Sequence, residues 1–168
     1  HLLHNVSSAR LYQELAKLFF TGHALDTYEL LKKQEMLGFL FPITEKSMSD
    51  GIYPTDKLII QVLKDTDERL SQGKTATPAF LFAAMLWHAV CERAKELVQK
   101  GNRPHAALFD AQDEVLAEQT KVIGIPKMTQ QSIKDIWTLQ WRLEKAYQRN
   151  AFKLFSHLRF RAGLDFLI

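Results

Sequence analysis

One run constrains the fold of this chain more than any other. Thr77-Pro78 is followed by Ala79-Phe80-Leu81-Phe82-Ala83-Ala84-Met85-Leu86-Trp87-His88-Ala89-Val90. Threonine before proline is a helix-start signal. Proline has no N–H to lose in the first turn, and its φ is already helical. The residues that follow are apolar around most of the helical circumference rather than along one stripe. A helix of that kind must be enclosed by other elements. It is too short to cross a bilayer, which takes an apolar run of about 18 residues or more. The pattern therefore predicts a bundle with this helix at its centre and Phe80, Leu81, Ala84, Met85 and Trp87 inside. Gly101-Asn102 is its stop signal.

Helical periodicity continues on both sides, and no alternating β pattern is present. The fold class read from the sequence is all-α, a multi-helix bundle. Ser7 or Ser8 can cap a first helix carrying Leu11, Leu15, Leu18 and Phe19, which Gly22 ends with a left-handed residue. A second helix is expected over Leu25–Gln34, with a turn near Gly38 and Pro42. Residues 44–55 are polar, contain Gly51 and Pro54, and read as the main loop. A third helix is expected over Asp56–Gln72. Beyond the central helix, one follows Pro104 as far as Val122, and Gly124-Ile125-Pro126 breaks the chain. Thr129 is expected to cap another helix over Gln130–Gln148. Shorter helices are expected over Ala151–His157 and Phe160–Leu167. Hydrophobic residues make up 46% of the chain, enough to fill one core.

Several familiar chemistries find no support. The single cysteine, Cys91, cannot form an internal disulfide or a cysteine-based zinc site, and a reducing, cytoplasmic setting suits it. It reads as a small core residue. No early apolar segment resembles a signal peptide, because Arg10, Glu14 and Lys17 interrupt it. His1 and His4 lack a third ligand. His88 lies in the central helix and reads as a hydrogen-bonded core histidine. Asp65-Thr66-Asp67 is an Asp-x-Asp in letters only, since i and i+2 positions on a helix face different ways. Arg10 and Glu14, at i and i+4, have the spacing of a surface ion pair.

Charge is unevenly placed. Residues 1–120 hold 13 Lys and Arg against 16 Asp and Glu; residues 121–168 hold 9 against 3. The last quarter is thus a basic segment on a mildly acidic body, a distribution that suggests a polyanion-facing end. Lys127, Lys134, Arg142, Lys145, Arg149, Lys153, Arg159 and Arg161 are interleaved with Trp137, Trp141, Tyr147, Phe152, Phe155 and Phe160. Cations can neutralise phosphates, and exposed rings can stack on unpaired bases. Trp137 and Phe155 sit at core spacing instead.

The first helix also carries a resemblance. Ala9, Arg10, Leu11, Glu14, Lys17 and Leu18, then Gly22, Thr27, Leu30 and Leu31, resemble the neck of the bacterial poly(A) polymerases. These are class II nucleotidyltransferases related to the tRNA CCA-adding enzymes. Leu40-Phe41-Pro42, Thr77 to Trp87, Ile125-Pro126-Lys127, Asp135-Ile136-Trp137 with Leu139-Gln140, and Phe160-Arg161-Ala162 with Asp165-Phe166-Leu167 extend the match in order.

The resemblance implies a neck over 1–45 and a helical body over 46–168 with an RNA-facing basic end. The parent enzymes add AMP from ATP to RNA 3′ ends. ATP and magnesium are implied for the parent and no cofactor for this chain. The family's catalytic head carries a Gly-Ser turn and an Asp-x-Asp pair, and no Gly-Ser dipeptide occurs here. The expected partners are the RNA primer and the enzyme's own head, and no membrane. Arg10 and Glu14 are implied to support the nucleotide pocket. Lys127, Arg142, Arg149, Lys153, Arg159 and Arg161 are the expected RNA contacts, with no catalytic or metal residue in the chain. A helical protein-interaction module and the corresponding part of a CCA-adding enzyme remain the alternatives.

Overall fold

The computed structural model describes residues 6–150. Among them are eight helices: α1 (Ser8–Phe19), α2 (Ala24–Lys33), α3 (Leu37–Leu40), α4 (Pro42–Asp50), α5 (Thr55–Ser71), α6 (Pro78–Gln99), α7 (Pro104–Val122) and α8 (Lys127–Asn150). The two short helices expected after residue 150 lie outside the described residues.

α6 is the axis of the bundle. All twelve residues from Ala79 to Val90 are buried, including the five named from the sequence. α4, α5, α7 and α8 pack around it. Its carbonyls keep a second lone pair, so polar side chains of its neighbours can be buried against it. Trp137 on α8 is fully buried, and its Nε1 donates to the Ala83 carbonyl at 3.0 Å. Thr44 on α4 donates to the Met85 carbonyl at 2.8 Å. These bonds satisfy groups that would otherwise cost free energy inside the core.

The second of those bonds corrects the sequence reading. Residues 44–55 are not one loop: α4 runs through Asp50, and only the short stretch after it is irregular. Thr44 and Ser47 look like loop residues because they are polar. They are buried because α6 supplies their partners, the Met85 carbonyl and the Glu92 carboxylate. Pro42 opens α4, and Gly51 closes it at φ 64°, a conformation glycine adopts without steric cost. Gly38 likewise lies inside α3 rather than at a turn.

Other boundaries follow the sequence closely, with local differences. Ser7 is the N-cap of α1, its side chain accepting from the Arg10 amide at 3.3 Å. Gly22 has φ 91°, as a helix stop requires. Leu15 and Phe19 are buried, but Leu18 is 50% exposed, so the apolar stripe is narrower than its letters suggest. Thr77 precedes α6 without making a side-chain cap bond. Thr129 does not cap α8, which begins two residues earlier; its hydroxyl pairs with Tyr12 at 3.3 Å.

That contact is one of several that seat α1 on the body. The Gly124 amide donates to the Ser8 carbonyl at 2.8 Å. A Cβ at Gly124 would lie 2.9 Å from the Ala9 nitrogen and 3.0 Å from Ser8 carbon, both backbone atoms. Only a residue without a side chain lets the start of α1 approach the α7–α8 turn this closely. Gly124→Ala is expected to lower stability by about 1–3 kcal/mol, the usual cost of overpacking against a backbone that cannot retreat. Urea unfolding of the variant beside the parent measures it.

Candidate nucleic-acid interface

Two of the six expected RNA contacts have described side chains, Lys127 and Arg142, and both are exposed. Lys127 opens α8, where a cation gains nothing from the positive end of the helix dipole. Arg149 belongs to α8, but its side chain is outside the described residues, as are Lys153, Arg159 and Arg161 entirely. Of the other basic residues in the segment, Lys134 is held in an ion pair with Asp113 of α7. Lys145 lies with its Nζ 3.7 Å from the centroid of the Trp141 ring.

α7 contributes residues that the sequence reading had not assigned to this flank. His105 and Phe109 sit one turn apart near its start, their rings 4.7 Å apart and edge-on. His105 also lies 5.6 Å from Trp141 across the gap to α8. His105 is exposed, Phe109 is 40% exposed and Trp141 is partly buried. Farther along the seam, the Gln112 amide meets the Thr138 hydroxyl at 3.4 Å. The only sequence signal for the α7 pair was its i, i+4 spacing just after Pro104. Trp137, by contrast, is fully buried, as its spacing suggested.

At the other end of the chain, Arg10 is exposed on α1, and Glu14 pairs with Lys17 at 3.6 Å rather than with Arg10. Both partners of that pair are well exposed, so it contributes little to stability. α1 thus presents the Arg10 guanidinium to solvent.

The groups whose residue types suit other chemistry have structural roles. His88 Nδ1 lies 2.9 Å from the Thr55 hydroxyl, and its ring stacks on Tyr53 with centroids 5.0 Å apart. Burial holds its pKa down at about 4. Cys91 is partly buried and packs against the core. Burial, with the Glu144 and Glu92 charges, pushes its thiol up, opposite to what a nucleophile needs. Asp67 spends both carboxylate oxygens on the first amides of α2, Ala24 at 2.7 Å and Leu25 at 3.1 Å. Asp65 accepts from Gln61 at 3.0 Å. The Asp65-Thr66-Asp67 pair therefore does not suit a magnesium ion. Among the described residues no three His, Cys, Asp or Glu side chains gather as metal ligands. A groove of about 520 Å³ between α4, α6 and α7 holds Lys46, Arg93, Glu96 and Glu114. Arg93 is paired there with Glu96 and Glu114. No described helix is long and apolar enough to cross a membrane.

The geometry defines, over the described residues, an all-helical module in which His105 and Phe109 near the start of α7 stand beside Trp141 of α8. Comparison with known proteins shows which of them it resembles. The model described as "Probable RNA and SrmB- binding site of polymerase A" matches residues 1–48. The model described as "Polymerase A arginine-rich C-terminus" matches residues 100–168. Over nearly its whole length the chain is similar to the bacterial poly(A) polymerases. Poly(A) polymerase I of Escherichia coli O157:H7 is 39% identical over 168 residues, which cover 99% of this chain and 36% of the relative. The enzyme of the same name from Salmonella typhi is 36% identical over the same shares. That from Haemophilus influenzae is 35% identical over 172 residues, 99% of this chain and 37% of the relative. The chain therefore spans little more than a third of the length of these relatives.

Neutral, buried His88 makes stability depend on pH. The unfolded chain takes up a proton near 6.5, which the folded chain refuses until about 4. The resulting stability is complete above the first value and is lost as pH falls toward the second, amounting to about 2 kcal/mol between pH 7 and pH 5. His88→Gln, which cannot titrate, should remove most of that dependence when urea midpoints are compared at the two pH values.

Proposed function

We propose that this chain is the RNA-holding neck and body of a polymerase that adds AMP from ATP to RNA 3′ ends. The observation that carries the reading is the continuous match to poly(A) polymerase I over 99% of the chain. The charge distribution supports it, with 9 Lys and Arg against 3 Asp and Glu after residue 120. Polyphosphate attracts such a segment and releases counterions on binding. Lys127, Arg142, Arg149, Lys153, Arg159 and Arg161 make the phosphate contacts. They position the primer without reading its sequence, because phosphates carry no base information.

In this reading the chemistry belongs to a catalytic head elsewhere in the parent protein. Magnesium-held carboxylates there neutralise charge on the triphosphate. The contribution of this chain is support. Seating α1 on the α7–α8 turn gives the head a rigid base, and Arg10 and Glu14 on the outer face of α1 steady the nucleotide pocket from below.

Two measurements test the proposal. In a fluorescence-anisotropy titration with a short labelled RNA, log affinity should fall linearly with log salt, by about 0.7 per phosphate contact. Replacing Arg149, Arg159 and Arg161 by Gln should flatten that slope by about 2 and weaken binding to all sequences alike. An unchanged slope would remove the basic end from the interface and favour a protein-interaction module. The chain by itself, given ATP, magnesium and a primer, should transfer no AMP. Primer extension that copurifies with it would refute the assignment of the chemistry to a separate head.

A further inference from the structure

We propose that His105, Phe109 and Trp141 form a stacking platform for one unpaired base of single-stranded RNA, with Arg103, Arg142 and Lys145 at its rim for the flanking phosphates. The proposal rests on the RNA reading above and adds to it a site that begins on α7.

Three aromatic rings meet across the α7–α8 seam and remain open to water on one side. His105 is edge-on to Phe109 at 4.7 Å and tilted against Trp141 at 5.6 Å. Rings left at a surface lose the burial that normally rewards them. Lys145 covers one face of Trp141, with its Nζ 3.7 Å from the ring centroid. Trp141 is therefore the back wall; because the His105 and Phe109 planes stand 62° apart, a base stacks on the face of one and meets the edge of the other.

Cations outnumber carboxylates around the platform. Successive helical residues are turned by about 100°. On α8 this places Trp141, Lys145 and Arg142 within an arc of about 100°. Arg103, exposed, enters from the turn just ahead of His105. Of the nearby carboxylates, one is neutralised by an ion pair. Asp113 is paired with Lys134. Glu144 accepts from the Gln140 amide at 2.8 Å. Asp110 is exposed on α7, offset from Phe109 by about the 100° that separates Arg142 from Trp141. An aromatic surface with Arg103, Arg142 and Lys145 near it in sequence and cations in excess is complementary to a base and its two phosphates. Every base has a π-face, so the site tolerates any sequence.

The test uses the full chain, a labelled uridine 12-mer, and a 12-mer of abasic ribose phosphates, each titrated at several salt concentrations. His105→Ala with Phe109→Ala should bind the uridine oligomer roughly tenfold more weakly at every salt, with the slope unchanged. The same variant should bind the abasic oligomer as the parent does. Phe109→Tyr, which keeps the ring, should retain affinity. Arg103→Gln with Arg142→Gln and Lys145→Gln should instead flatten the slope. Equal binding of the uridine oligomer by parent and platform variant would overturn the platform and leave the RNA reading standing. So would an equal loss for both oligomers, which would mark the rings as structural. If the parent shows no salt-dependent binding to either oligomer, the RNA reading fails and the platform with it.

Discussion

The enclosure of α6 governs the rest of the architecture. A helix buried on every side for three turns leaves no choice about the number of its neighbours, and α4, α5, α7 and α8 take up those positions. It also decides where polar side chains can be buried. The carbonyls of Ala83 and Met85 accept from Trp137 and Thr44, so α8 and α4 are each held by apolar packing and by one directional bond. Hydrogen bonds add little net stability on average, but leaving a buried donor unmet is expensive. These bonds therefore select one register for each helix rather than simply strengthening the contact.

The second constraint is the close approach at Gly124. Ser8, Tyr12, Gly124 and Thr129 join the beginning of α1 to the turn between the last two helices. A single core cluster extends from Leu15 to Trp137, so the region matched to the first family model and the region matched to the second share one interior.

Much of this was legible in the sequence, and the exceptions share a cause. α5, α6 and α7 were readable because proline, glycine and apolar period are local signals, and their bounds agree within about two residues. α4 was unreadable because its buried face is Thr44 and Ser47, whose partners lie more than forty positions away. The same holds for the interface. Lys127 and Arg142 were visible as cations, but nothing local says that Lys134 is already engaged by Asp113, or that His105 and Phe109 stand beside Trp141. The core histidine was readable from the apolar run around it, whereas its partners, Thr55 and Tyr53, needed the fold.

The cap on α2 illustrates a further effect of such remote partners. His23 occupies the N-cap position but makes no side-chain bond there; the first two amides of the helix are met by Asp67 of α5. A helix of ten residues is marginal in water without help at its ends. During synthesis α2 emerges long before Asp67 does, so for that interval the hairpin of α1 and α2 lacks the charge that fixes its start. The bonds that cap it can form only once α5 has folded back upon it. The α1–α2 pair thus takes the cap of its second helix from a residue that its own stretch of chain does not contain, 43 positions beyond Ala24.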